Sequence, residues 1–410
     1  MIDASVTYTL LFISLYFEVF LLVSFLERRS NKVALSEPLS RFPTVAIVVP
    51  CYNEAKTLAG TLTSILALGY PKEKLDIIIV DDGSTDQTLE IARQFEGLRE
   101  DGLRLRVFHK ENGGKHSAMN FALKRTHAEL IGCLDADSEV ESQALHHIAR
   151  VFEDTRVAAV IPGIHVKNPQ TMLQHMQHVE YRLSIFNRFM WAALGSTFIT
   201  PGTFSIFRTE TVRTLGGWRH GHSTEDMEMA LRVQAAGHLI ANVPKAVVHT
   251  STPRNIRSLF RQRVRWTYGW LRNAVDYRHM FGNRAYGNLG MLFLPSGIIL
   301  IFAGVYFFAR IMFFSTQYVI DLFSRAYVTG TMPQPSFDLF YFDTSTMWFL
   351  IYMSAALVFA LICAGTAIGT NQKLPPRATP LFFLFYAFLV PLWLGTAVVR
   401  ATLKTGVRWR

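Results

Sequence analysis

Cysteine is scarce. The 410-residue chain has three, Cys51, Cys133 and Cys363. None has the paired spacing of a zinc ligand set, and two fall at the ends of apolar, strand-like runs. A disulfide framework and a zinc site are therefore excluded, and a reducing cytosol fits. Internal repeats, low-complexity tracts, RNA-binding aromatic signatures and an uninterrupted basic tail are absent too. The net charge of +10 thus does not signal nucleic acid. Its basic residues stand beside hydrophobic segments (Arg28, Arg29, Lys32) and within Arg254–Arg278, where anionic lipid headgroups and phosphorylated substrates are the expected partners.

Charge is also nearly missing from four long runs: Tyr8–Leu26, with only Glu18, then Leu289–Phe314, Met347–Ile368 and Pro380–Val399. Each is long enough at helical rise to cross a bilayer. Pro295 and Pro391 are tolerable inside bilayer helices. After the first run comes Glu27-Arg28-Arg29, whereas a cleaved signal would carry its charge ahead of the run and a small-residue cleavage site behind it. An uncleaved span is expected, with the following domain in the cytoplasm. The polar, mildly acidic link Ser315–Thr346 suits the outer side and the basic link Asn371–Arg377 the inner side. One span before the domain and three after it leave the basic tail Arg400–Arg410 outside, against the positive-inside tendency; either the tail is an exception or one run does not cross.

Between the apolar ends lies a segment of soluble composition in which strands alternate with helices. Val45–Pro50, Asp76–Val80, Leu105–Phe108 and the run into Asp135 read as buried strands. Leu58–Leu68, Asp86–Phe95 and Lys115–Thr126 read as the helices between them. That alternation implies right-handed crossovers, a parallel sheet and a ligand site beyond the strands' carboxyl ends. Leu145–Phe152 continues as helix and Val157–Pro162 as strand. Gly202–Arg208 and Ala241–His249 are further strands, and Asp226–Ala236 a helix. His175–Ala193 and the basic, aromatic Ile256–Trp270 have the pattern of helices lying on a membrane surface.

Chemistry concentrates at the strand ends. Asp135-Ala136-Asp137 sets two carboxylates one residue apart with nothing to neutralise them, a cost relieved by a hard divalent cation such as Mg2+ or Mn2+. Asp81-Asp82-Gly83-Ser84 opens a helix, a plain capping turn or a nucleoside loop. Tyr52 and Glu54, after the first strand, supply an aromatic face and a carboxylate beside it. Asn112-Gly113-Gly114-Lys115 is a glycine turn entering a helix, a common phosphate cradle. Thr224-Glu225-Asp226 either caps a helix or supplies a general base. Gln262-Arg263-Val264-Arg265-Trp266 either snorkels at a membrane interface or offers cations to a diphosphate and a ring to a sugar.

In this order these motifs resemble the membrane-integrated family 2 glycosyltransferases, over roughly Val45–Trp270. Asn112–Lys115, Gly202–Arg208 and Arg261–Trp266 are most similar to the bacterial poly-N-acetylglucosamine synthases, which are related to chitooligosaccharide, hyaluronan and cellulose synthases. The resemblance implies a GT-A type nucleotide-sugar-binding α/β domain with a mostly parallel sheet, plus transmembrane and interfacial helices. The expected layout is a span at 1–30, a cytoplasmic catalytic domain at 31–253, an interface helix at 254–285 and about three spans at 286–410. It implies Asp226, Glu225 and Arg265 in catalysis, with Asp226 as base. Tyr52, Glu54, Asp81, Asp82, Lys115, Asp135, Gln262 and Arg263 would bind the donor. Trp266, Gly202, Thr203 and Phe204 would seat the acceptor, and Asp137 with Asp135 would hold the metal.

The implied activity is inverting, processive polymerisation of a β-linked polysaccharide from a UDP-sugar at the plasma membrane, with help in its export. The implied partners are the growing polysaccharide, the bilayer and room for a small accessory subunit. Competing readings are single-sugar transfer to a lipid, a hyaluronan or chitooligosaccharide type of synthase, and a non-catalytic nucleotide-sugar receptor.

Overall fold

The computed structural model describes residues 2–30, 39, 41–99, 101–331, 345–370, 372 and 374–405. Lys32, the middle of the Ser315–Thr346 link, part of Asn371–Arg377 and the end of the basic tail lie outside the described residues. In chain order the elements are α1 (Ile2–Ser30), β1 (Val45–Cys51), α2 (Leu58–Leu66), β2 (Leu75–Asp81), α3 (Thr88–Arg93), β3 (Gly97–Leu98) and β4 (Arg104–His109). Then come α4 (Lys115–Leu123), β5 (Leu130–Cys133), β6 (Ser138–Val140), α5 (Ala144–Val151), β7 (Val157–Val166) and α6 (Met172–Ala193). β8 (Ser205–Arg208), α7 (Thr209–Thr214), α8 (Glu225–Ala235), β9 (Leu239–Thr250) and α9 (Ile256–Asp276) follow, and α10 (Leu294–Thr329), α11 (Thr346–Gly369) and α12 (Thr379–Thr402) close the chain.

β1 and β2 are apolar without interruption because both faces are covered. Val45, Ile47 and Val49 point with Ile77 and Ile79 into a cluster with Leu58, Leu62 and Ile65 of α2 and Leu145 and Ile148 of α5. The alternate residues Ala46, Val48, Ile78 and Val80 pack on Met119 and Ala122 of α4 and Met229 and Val233 of α8. The resulting nine-stranded sheet has the order β3-β4-β2-β1-β5-β8-β7-β9-β6. β4, β2, β1, β5, β7 and β9 run one way; β3, β8 and β6 run against them.

Register places the polar ends on one rim. Cys51 pairs with Asp81, and Asp81 with His109. Because β8 is antiparallel to β5, with Ser205 opposite Cys133, the turn before β8 returns to where β5 ends. β8 begins only at Ser205, so Gly202 and Thr203 lie in that turn and not in the expected strand.

α6 and α9 form the layer between the sheet and the long apolar helices. Leu173, Met176 and Val179 of α6 share a cluster with Leu259, Val264 and Tyr268 of α9, Ile362 of α11 and Phe382, Tyr386 and Trp393 of α12. On its other side α6 packs on β7 and β9. The surface helices expected from sequence therefore have partners on both sides, and α6 also buries Ile185, Phe186 and Met190 completely or nearly so.

Among the described residues, four helices are long and apolar enough to cross a membrane. Pro391 does sit inside α12, but Pro295 falls in the first turn of α10, after a π-helical turn at Leu289–Phe293, where a missing N–H is harmless. α10 continues through Thr329, well past the expected end at Phe314.

Candidate functional site

The rim gathers the residues that the sequence singled out, although several face partners other than those expected. Asp82 is buried, and its carboxylate accepts from the amides of Gly113 (3.1 and 3.2 Å) and Gly114 (2.7 Å) and from Lys110 Nζ. The glycine turn at the start of α4 thus does hold an anion, but the anion is Asp82 itself. Asp81 is fully buried; its Oδ2 meets His109 Nδ1 at 2.6 Å while its Oδ1 is buried without a partner. Of the two acids, Asp81 is the one with an oxygen left for a donor N–H or hydroxyl. Tyr52 stands beside it, 41% exposed. Glu54 accepts from Thr57 Oγ1 at 3.0 Å.

Lys115, expected near phosphates, instead ion-pairs with Asp135 and lies 3.7 Å from Glu225. Its ammonium is held well above its ordinary range: burial works against the charge, and Asp135 more than offsets it. Thr203 Oγ1 donates to the other Asp135 oxygen at 3.3 Å. A Cβ at Gly202 would collide with Lys115 Nζ, so glycine is what lets this turn close over the pair. Phe204, offered as an acceptor contact, is entirely buried with φ +67° and its amide bonded to the Cys133 carbonyl at 2.7 Å. It anchors the turn in the core, and cannot touch an acceptor.

Asp137 has no ion pair among the described residues. Burial first, then the charges of Asp135 and Glu54, push its carboxyl up to about 6. Ser138 Oγ donates to it at 3.1 Å, and the Ser251 hydroxyl donates to its carbonyl. Among the described residues no cluster of three or more Asp, Glu, His or Cys converges on one point. A hard-oxygen site of one or two carboxylates, completed by substrate phosphates, is nevertheless what Mg2+ or Mn2+ takes, and the strained charge on Asp137 fits that donor set.

The second half of the site comes from α8 and α9. Gly221, His222 and Ser223 all have positive φ, bending the chain sharply before Thr224. Asp226 is half-buried in the first turn of α8, its Oδ1 accepting from the Met227 amide at 2.9 Å. Burial and the adjacent Glu225 raise its carboxyl to about 6, against the pull of Lys115 and Arg265. Arg265 donates to the Ser223 carbonyl at 2.9 Å and faces Glu225, Asp226 and Asp135. Asn273 Nδ2 reaches Thr224 Oγ1 at 2.9 Å and the Gly221 carbonyl at 3.1 Å. A Cβ at Gly269 would lie inside the Thr224 side chain. Sequence reasoning missed Gly269 and Asn273, yet Arg265, Gly269 and Asn273 stand at i, i+4 and i+8, one narrow face of a basic helix.

Arg263 takes a different direction from the expected diphosphate contact. Its guanidinium pairs with Glu180 of α6 at 2.6 Å, and Tyr386 of α12 donates to the same carboxylate oxygen at 3.0 Å. Arg263 also lies 4.2 Å over the Trp266 ring and donates to Gln262 Oε1 at 3.3 Å, leaving Trp266 37% exposed. Arg263 therefore ties α9 to α6 and α12, and Arg265 is the arginine of the motif that faces the carboxylates.

The mostly parallel nine-stranded sheet, with an Asp-x-Asp turn on its rim and a helix-borne carboxylate and arginine behind it, is a GT-A-like α/β fold. Residues 46–216 match the family model Glycosyl transferase family 2. It is 31% identical over 228 residues to a poly-beta-1,6-N-acetyl-D-glucosamine synthase of Staphylococcus aureus, covering 55% of this chain and 54% of that one. It is 28% identical over 311 residues to the synthase of the same name from Staphylococcus epidermidis, covering 75% and 72%. The match thus spans about half the length of the first of these relatives. A mannosyltransferase from Pyrobaculum calidifontis, solved with GDP-Man and Mn2+, shares the fold across 98% of this chain and 99% of its own, with TM-score 0.63 and 19% identity.

Proposed function

We propose that the chain is an inverting, processive glycosyltransferase that extends a β-linked polysaccharide, poly-N-acetylglucosamine, from UDP-N-acetylglucosamine at the cytoplasmic face of the membrane. Residues 31–253 would be the catalytic part, and the spans would lead the product outward. The observation that carries the chemistry is the position of Asp226, a half-buried carboxylate with its affinity for protons raised, between Arg265 and the Lys115–Asp135 pair.

Asp226 takes the proton of an acceptor hydroxyl as that oxygen bonds to the anomeric carbon. The bond from that carbon to the diphosphate oxygen breaks on the opposite face, so the configuration inverts. Arg265 offsets the charge on the departing diphosphate. Asp137 with Asp135 would hold a divalent cation, which supplies further positive charge to the diphosphate when bound. Tyr52, exposed on the rim beside the buried Asp81, receives the nucleoside. The face of Trp266 not covered by Arg263 seats the acceptor sugar. The names of the Staphylococcus relatives support the choice of sugar.

The test is incubation of purified membranes with a panel of labelled UDP-sugars and Mg2+ or Mn2+, then glycosidase digestion of the product. Long β-linked N-acetylglucosamine chains are expected; one added sugar would end the processive reading. In Asp226→Asn, UDP binding stays within about threefold of wild type while transfer falls by about a thousandfold or more. Undiminished transfer in that variant overturns the assignment of the base.

A further inference from the structure

α6 carries two buried donors that nothing among the described residues satisfies: Arg188 Nη1 and Trp191 Nε1. Three residues apart on one helix, they share a face. The Trp191 ring packs on Phe198 at 4.7 Å, and Phe198 meets Trp270 of α9 edge-on at 6.4 Å. Two residues past Phe198, Thr200 donates to the Asp226 carbonyl from its amide at 3.2 Å and its hydroxyl at 2.6 Å. Met227, next to Asp226, lies in the same apolar cluster as Phe186 and Met190 of α6. The end of α6 is therefore docked against Asp226 from the side of the apolar helices, while Lys115 and Asp135 approach it from the strand rim.

Burial holds the Arg188 guanidinium below its ordinary range; the charges of Tyr181, Asp226 and Glu180 favour its ionised form and that of Arg263 opposes it. The negative charge of Asp226 favours the Arg188 guanidinium, as it does that of Arg265. Buried donors are normally satisfied, so a pair left open beside a candidate base points to a ligand that brings acceptor oxygens. With Asp226 and Glu180 close by, a phosphate there would meet two carboxylates. A neutral, hydroxyl-rich ring would not.

We propose that Arg188 and Trp191 bind the terminal sugar of the acceptor, their N–H groups donating to its hydroxyl oxygens and so presenting one hydroxyl to Asp226. This rests on the transfer reading given above.

The test uses the purified full chain with UDP-N-acetylglucosamine, Mn2+ and short β-linked N-acetylglucosamine oligosaccharides as acceptors. Arg188→Gln raises KM for the oligosaccharide by about tenfold or more, and Trp191→Phe, which keeps a ring and loses the N–H, by about threefold. Arg188→Lys recovers part of the loss, and the Kd for UDP stays within about twofold of wild type in all three. An unchanged acceptor KM in both Arg188→Gln and Trp191→Phe overturns the proposal, as does a parallel loss of UDP binding, which marks a structural role. Wild-type protein that binds UDP but transfers nothing overturns the transfer reading and this inference with it.

Discussion

The two halves of the site are built by different means. On the strand rim, Asp81, Asp135 and Asp137 stand at the ends of strands whose side chains are buried on both faces, so their positions follow from the packing of the sheet. On the other side, Asp226 and Arg265 meet because α9 lies against one sharply bent loop through the gap at Gly269. The first half depends on an extensive core and tolerates local change; the second depends on a few contacts between separate elements. Disturbing each half separately should therefore break different functions, nucleotide and metal binding on the rim and transfer on the helix side.

Among changes that leave every reacting group in place, the largest effect is expected from Gly269→Ala, which puts a carbon inside Thr224 and displaces α9. Transfer should fall by about a hundredfold, as misplacement of about an ångström can do, while UDP titration shows donor binding intact. Equal losses in binding and transfer would mean that the halves are one unit. Asp137→Asn is the opposite probe: it should weaken Mn2+ binding in the presence of UDP by on the order of tenfold to a hundredfold, read by metal titration.

The pH profile gives the next contrast. A base works only when ionised, and the Asp226 carboxyl is raised to about 6, so transfer should rise through pH 6 and level off above it. Asp137 also titrates near 6 in the absence of metal, but a bound cation displaces its proton. The limb should therefore persist at saturating Mn2+; its disappearance there would assign it to Asp137. The smallest effect belongs to Asn273→Ala, which removes two hydrogen bonds from the loop before Asp226 and costs about 1 kcal/mol of stability, measured by thermal unfolding, with a few-fold loss in kcat.

The rim was largely legible in the sequence. Runs such as Val45–Pro50 and Asp76–Val80 declare a doubly covered sheet, and the acids that end them declare where a ligand goes. The apolar runs were equally plain, save that α10 extends beyond Phe314. The misreadings share one cause, that sequence order does not state which partner a side chain will choose. Asn112–Lys115 looked like a phosphate turn, and Asp82 fills it. Phe204 looked available, and a left-handed backbone turns it into the core. Arg263 and Arg265 were equivalent as letters; helix α9 sends one to Glu180 and the other to Ser223.

By itself the sequence determined the α/β domain, the four membrane-length helices and which acids end the strands at the candidate site, because hydrophobic periodicity and chain order suffice for those. Only the tertiary structure decided that α6 and α9 lie between sheet and spans, that Lys115 serves Asp135, and that among the described residues Asp137 has no ion pair and Arg188 Nη1 and Trp191 Nε1 are buried without a hydrogen-bond partner. Those outcomes depend on contacts between residues far apart in the chain. They are set by packing and by competition among charges for partners, and no local pattern encodes either.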